Sequence, residues 1–83
     1  MCKNYNELSF THFVVDRVDG TIFGSAKEQG STYNFLIRAE TVWRQVGEQW
    51  AALDLNIAQI IRSRAQYFYG KVPVYRASGL LDA

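Results

Sequence analysis

The sequence predicts a single α+β domain over residues 1–83, in which a three-stranded antiparallel meander packs on a short and a long C-terminal helix. Two turn-forming pairs, Asp19-Gly20 and Gln29-Gly30, separate three runs that are rich in β-branched and aromatic residues. The second half of the chain has helical periodicity instead, and a glycine and a proline end it.

The two predicted turns define one register for the three strands. Residues that pair across strands share a face of the sheet, and the faces alternate along each strand. With two-residue loops at both turns, Gly24 faces Val15 on one side and Phe35 on the other, so that Gly24 leaves room for the Phe35 ring. A slip by one residue would destroy this face. The predicted core face holds Phe13, Val15, Ile22, Gly24, Ala26, Tyr33, Phe35 and Ile37.

Two helices and a short strand are expected after the meander. The segment 38–46 is predicted to be a short helix that Gly47 caps. A longer helix begins between residues 48 and 56, with Asp54 or Asn56 as its N-cap, and Gly70 ends it. The segment VPVYR that follows is expected to form a short fourth strand.

The segment RSRAQYFYGK, residues 62–71, has the composition of a nucleic-acid-binding strip. On a helix, however, residues two positions apart lie about 160° apart around the axis, since each step turns about 100°. Arg62 and Arg64 therefore point to different sides, and the segment is better explained as the end of an ordinary helix. The predicted buried stripe of that helix is Trp50, Leu53, Ile57, Ile60, Ile61 and Phe68.

Arg64 falls near the middle of this apolar stripe, and three interpretations stay open. Its stem packs while the guanidinium reaches water, it forms a partly buried ion pair with a carboxylate such as Glu40, or it contacts a ligand or partner.

Composition excludes several classes of protein. Nine Lys and Arg against eight Asp and Glu leave a net charge of +1, which is too balanced to indicate DNA or an anionic membrane. No signal peptide or membrane span is predicted, so the expected location is a reducing cytoplasm. Cys2 and His12 alone cannot form a metal site, and no cofactor is predicted.

The sequence offers no convincing catalytic group. Ser9, His12 and Asp16 invite comparison with a catalytic triad, but Ser9 and His12 point to opposite faces of a strand. His12 and Asp16 lie about 13 Å apart along the same strand, far beyond hydrogen-bond contact. The glycines match neither a dinucleotide fingerprint nor a phosphate-binding loop. We therefore expect no enzyme activity.

The opposite face of the predicted meander carries a small apolar group. Val14 lies diagonally from Phe23, and Phe23 lies opposite Leu36. Contiguous apolar residues on an otherwise polar sheet face indicate a surface that something covers. The residues predicted to bind a partner are Val14, Phe23, Leu36, Lys27 and Arg38.

Three kinds of cover stay open for this face. The first is a partner protein or a second copy of the chain. The second is a nucleic acid, which would stack on Phe23 beside Lys27, Arg38 and His12. The third is the chain itself, through either of its ends. The N-terminal segment offers Tyr5 and Leu8, and the tail offers Val74, Tyr75, Leu80 and Leu81.

The segment FLIRAETVWRQVG, residues 35–47, resembles a family of uncharacterised small bacterial proteins with three strands followed by helices. The resemblance implies a fold and no activity, and a cysteine expected near Phe35 is absent. The sequence thus predicts a small bacterial or phage-type accessory or inhibitor protein that is not an enzyme and acts by binding another protein. A weak RNA- or single-strand-binding module is the alternative.

Overall fold

A computed structural model describes residues 5–78 of the chain; residues 1–4 and 79–83 lie outside this description. Over the described range the chain forms six strands and one helix. They are β1 (Ser9–Asp16), β2 (Ile22–Glu28), β3 (Ser31–Arg38), β4 (Thr41–Val46), β5 (Gln49–Ala52), α1 (Leu55–Phe68) and β6 (Val74–Ala77).

All six strands belong to one sheet, in the order β5-β4-β3-β2-β1-β6. The first five form an antiparallel meander, and β6 returns after α1 to pair in parallel with β1. The helix packs on one side of this sheet. We call the side that carries Phe13, Phe35 and Val42 the helix face, and the side that carries Val14, Phe23 and Leu36 the open face.

The core lies between α1 and the helix face. Its centre is aromatic, since the Phe10 and Phe13 rings stack with centroids 5.0 Å apart and Tyr5 meets Phe35 edge-on at 5.8 Å. Every strand from β1 to β4 contributes to it. The buried core residues are Tyr5, Leu8, Phe10, Phe13, Ala26, Phe35, Ile37, Val42, Ala58, Ile61 and Ala65.

The second predicted turn and the register around it are confirmed. Gln29 and Gly30 form a two-residue loop with φ of 51° and 82°, the left-handed conformations that such hairpin turns need. Gly24 pairs with Phe35 as the sequence predicts, and so do the other two pairs between β2 and β3.

The first predicted turn is wrong in its length. The backbone N–H of Asp16 donates to the carbonyl oxygen of Thr21 at 2.8 Å, so the turn between these two residues contains four residues, 17–20, rather than two. Two aspartates hold this longer loop: Asp16 accepts a hydrogen bond from the backbone N–H of Val18 at 2.8 Å, and Asp19 accepts one from that of Thr21 at 2.9 Å. The register moves by two residues, so the side chains from His12 to Val15 keep their predicted faces while Phe13 pairs with Gly24. A bulge between Phe10 and His12 reverses the faces before it, so Ser9 and His12 lie on the same side of the sheet and not on opposite sides as predicted.

The predicted fold of three strands and two helices is wrong, because the segment expected to be the short helix is the strand β4. Ala39, at φ 53°, and Glu40 form a tight turn between β3 and β4. Gly47, at φ 63°, turns the chain from β4 into β5 rather than capping a helix. The segment TVWRQV is rich in β-branched and aromatic residues, which favour an extended chain.

The long helix begins too late in the chain to include the first two residues of its predicted buried stripe. Asp54 is the N-cap, and its carboxylate accepts from the backbone N–H of Ile57 at 2.9 Å, so Asn56 is not the cap. Trp50 and Leu53 precede the helix and are not part of its stripe. Its predicted end at Gly70 and the short strand in VPVYR are confirmed.

Arg64 makes a contact that none of its three interpretations includes. Its guanidinium donates from Nε and Nη2 to the carbonyl oxygen of Leu8, at 3.0 and 2.7 Å. It also lies 5.2 Å from the centre of the Phe68 ring, and no ion pair forms with the exposed Glu40. Arg64 therefore ties the helix to the buried segment that leads into β1.

Gly24→Ala is expected to destabilise the protein by about 1–3 kcal/mol, because the added methyl overpacks the core. A Cβ at Gly24 would lie 2.7 Å from Cε2 of Phe10 and 3.2 Å from Cδ1 of Phe13. Those two rings, rather than Phe35, occupy the space that the glycine leaves. Urea unfolding measures the effect, and an unchanged free energy of unfolding would contradict this packing.

Candidate functional site

An unbroken row of mostly apolar side chains crosses the open face. Neighbouring strands lie about 4.8 Å apart, so a row through all six strands spans roughly 24 Å. The pairing of the strands brings these residues into line although they come from six different parts of the chain. We call this set the apolar row; it consists of Tyr75, Val14, Phe23, Leu36, Trp43 and Ala52.

The three predicted apolar residues are adjacent in this row. Val14 pairs directly with Phe23, and Phe23 pairs with Leu36. The sequence places Val14 on a diagonal instead, because it assumes the shorter first turn. Leu36 is buried at 5% exposure between its neighbours, whereas Val14 and Phe23 are half-buried.

Trp43 belongs to the row and Trp50 lies beside it, and the sequence prediction misses both tryptophans as part of this face. Trp43 pairs with Leu36, and Trp50 meets Phe23 edge-on with ring centroids 5.9 Å apart. A shallow depression of about 210 Å³ lies among Leu36, Arg38 and the two indoles. The signal that could have found Trp43 is the run Thr41-Val42-Trp43, because β-branched and aromatic residues favour a strand, in which Trp43 lies on the face opposite to Val42.

A polar row runs along one side of the apolar row. The hydroxyl of Ser25 donates to Oδ1 of Asn34 at 2.8 Å, and Nδ2 of Asn34 donates to Oε1 of Gln45 at 3.1 Å. These side chains hydrogen-bond to one another across β2, β3 and β4. Because these polar side chains already have hydrogen-bond partners, the apolar row is the part of the face that would gain most free energy from burial against a partner.

Arg38, predicted to bind a partner, is held by the β1–β2 loop. Its Nη2 donates to Oδ2 of Asp19 at 3.0 Å, and its Nε donates to the hydroxyl of Thr21 at 2.9 Å. The backbone N–H of Thr21, then its hydroxyl, and more weakly the Arg38 charge lower the pKa of the exposed Asp19 carboxyl. The Arg38 charge is therefore already paired.

The other basic groups predicted for this face differ from Arg38. Lys27 is exposed and makes no hydrogen bond or ion pair with any residue between 5 and 78. His12 lies on the same face, edge-on to Tyr75 at 6.2 Å, and its ring hydrogen-bonds to the Thr11 hydroxyl at 3.1 Å. Of the three basic residues that the sequence places beside Phe23, Lys27 is thus the one without a described partner.

The described part of the chain does not cover the open face. Tyr5 and Leu8, expected as one form of cover, are buried in the core on the helix face. Val74 also packs there, while Tyr75 is 57% exposed at the end of the apolar row. The expected cover by Leu80 and Leu81 falls outside the described residues.

The three residues that invite comparison with a catalytic triad each pair with another part of the chain. Ser9 pairs with Lys27 on β2, and His12 pairs with Ser25. Asp16 is buried and accepts from the backbone of its own loop. Within residues 5–78, no three His, Cys, Asp or Glu residues come together as a metal site.

No helix in the described range is long and apolar enough to cross a membrane. Comparison with known proteins found no matching family model, no matching curated protein and no matching solved structure. The function must therefore be argued from the geometry of the open face.

Proposed function

We propose that this chain is a non-enzymatic accessory or inhibitor protein that binds another protein through its open face. The apolar row is the observation that carries the proposal. It is contiguous across the sheet, and no described element packs on it. Desolvating such a surface is the usual driving force for protein association. Because Cys2 is the only cysteine, a reducing cytoplasm is the setting that we propose.

The shape of the open face suits an amphipathic helix or another flat apolar surface of a partner. The apolar row runs across the strands. On the other side of the same sheet, α1 already packs as an amphipathic helix. Phe23 lies near the middle of the face, and the ring of Trp50 on the edge strand β5 meets it at 5.9 Å. Central aromatic residues commonly supply most of the binding energy of an interface. The hydrogen-bonded polar row and Lys27 then form the rim.

A single-stranded nucleic acid is the second candidate, and the exposed aromatic group is what favours it. Bases stack on such side chains in proteins that bind single strands. Affinity for nucleic acid also depends on cations that neutralise phosphates, however. On the open face Arg38 is already paired with Asp19, which leaves Lys27 as the predicted cation without a partner in the described range.

Phe23→Asp is expected to weaken partner binding by about 30-fold or more, since a central aromatic residue is commonly worth 2 kcal/mol or more at an interface. Tyr67→Asp is the matched control, because Tyr67 is an exposed aromatic residue on α1. The measurement is affinity capture from an extract of the cells that express the protein, with each variant, followed by binding assays with the captured partner.

Three outcomes of that experiment distinguish the candidates. A protein that the parent and Tyr67→Asp capture, that Phe23→Asp loses and that resists nuclease supports the proposal. Loss of the captured material after nuclease treatment, together with a weaker dependence of binding affinity on salt in Lys27→Glu, favours nucleic acid. Loss with Tyr67→Asp but not with Phe23→Asp would place the interface on the helix and contradict the proposal. Light scattering on the purified protein shows whether the partner is a second copy.

A further inference from the structure

A cavity of about 390 Å³ lies between α1 and the helix face, on the opposite side of the sheet from the apolar row. It opens beside the β1–β2 loop and the β3–β4 turn. The apolar residues that line it are buried or half-buried, and they come from β1, β2, β3 and α1. They are Phe13, Ile22, Ile37 and Ala65.

Small residues keep the mouth of this cavity open. Gly20, at φ 77°, comes from the β1–β2 loop, and Ala39, at φ 53°, comes from the β3–β4 turn. Both lie in the left-handed region that these tight connections need, and neither has a side chain long enough to fill the space. A volume of this size falls within the range of about 300–1,000 Å³ that is usual for small-molecule sites.

The polar side chains at the cavity come from the last turns of α1 and the residue that follows them: Arg62, Gln66 and Tyr69. Arg62 is half-buried, and it makes no hydrogen bond, ion pair or ring contact with any residue in the described range. None of the residues found to line the cavity is an Asp or Glu. The apolar cavity is thus bordered by the Arg62 guanidinium, which has five N–H donors and no described acceptor.

We propose that this cavity binds a small amphiphilic anion, with its apolar body between Ile22, Ile37 and Phe13 and its anionic group against Arg62. A carboxylate suits the planar guanidinium well, because the two can form paired hydrogen bonds. The side-chain amide of Gln66 and the hydroxyl of Tyr69 can donate to the same group. The ligand class is therefore a short-chain carboxylate or a similar apolar molecule with one negative charge.

Titration with sodium octanoate, followed by amide chemical shifts in ¹⁵N NMR spectra, tests this proposal. Octan-1-ol and octylammonium are the neutral and cationic probes of equal chain length. Octanoate is expected to shift the amides of Ile22, Ile37 and Ala65, to bind about fivefold or more tightly than octanol, and to lose that advantage in Arg62→Gln. Arg76→Gln is the matched control, since Arg76 is an exposed arginine on β6 that does not line the cavity.

Ala65→Leu supplies a second variant, because the longer side chain fills the floor and should weaken octanoate and octanol alike. Circular dichroism shows whether it folds, and if it does not, the Arg62→Gln comparison decides by itself. Equal affinity for octanoate and octylammonium would overturn the proposal, and so would shifts confined to the open face. An Arg62→Gln variant that binds octanoate as well as Arg76→Gln does would overturn it too. None of these outcomes depends on whether the open face binds a protein.

Discussion

Phe35→Asp is expected to unfold the protein. Phe35 is fully buried on the helix face, where the rings of Tyr5, Phe10 and Tyr33 surround it. A carboxylate there has no partner to replace its hydration, so the substitution should cost about 4 kcal/mol or more. The total stability of a chain of this length is roughly 4–12 kcal/mol, so most or all of it would be lost.

Phe23→Asp makes the same chemical change on the other side of the sheet, and we expect the variant to stay folded. Phe23 is half-buried on the open face, where a carboxylate can remain in water. It gives up its edge contact with Trp50 and some β-propensity, which together should cost about 1–2 kcal/mol.

Circular dichroism and thermal unfolding of the two variants measure this contrast. Because both substitutions replace Phe with Asp, a difference in their thermal stability depends on the side of the sheet that each residue occupies. Unfolding of Phe23→Asp as complete as that of Phe35→Asp would mean that the open face is covered within the chain. A folded Phe35→Asp would instead contradict the position of the core.

Arg64→Met is expected to destabilise the protein by about 1–3 kcal/mol. The change removes both hydrogen bonds to the Leu8 carbonyl, and Leu8 is fully buried. A buried acceptor without its donors costs about that amount, and the lost contact of the guanidinium with the Phe68 ring adds to it. From the sequence alone, the same substitution would be expected to keep or raise stability, since Met supplies similar apolar length without a charge.

Urea unfolding compares this variant with Arg62→Met. Arg62 lies on the same helix two residues earlier and makes no described hydrogen bond, so its replacement should change the free energy of unfolding by no more than about 0.5 kcal/mol. Equal effects of the two substitutions would show that the link between Arg64 and Leu8 contributes nothing. Arg64→Lys should recover part of the loss, because an ammonium can still donate to the carbonyl.

The sequence was most informative where a local signal and a hydrophobic pattern agreed. Gln29-Gly30 needs positive φ at both positions, and the flanking residues alternate in register around it, so the pairing of β2 with β3 was predictable. The β1–β2 loop was not, because the side chains of Asp16 and Asp19 extend it beyond the two residues that Asp-Gly suggests.

The segment 38–52 is difficult to predict because its sequence signals are compatible with two structures. A glycine with positive φ ends a helix as readily as it turns a hairpin, and Gly47 does the second. A predicted helix in this segment leaves β4 and β5 out of the sheet, and with them Trp43 and Trp50 out of the open face. Val14, Phe23 and Leu36 were placed on that face correctly, since they belong to strands whose faces were predicted.

Fluorescence quenching of the tryptophans tests the binding role of the open face most directly. Trp43 and Trp50 are the only two tryptophans in the chain, and both lie on that face. In the free protein, acrylamide is expected to reach both half-buried indoles, and binding of the partner protein should protect them further. Indoles that are already protected in the free protein, or that stay equally accessible in the complex, would contradict the assignment of the open face as the binding surface.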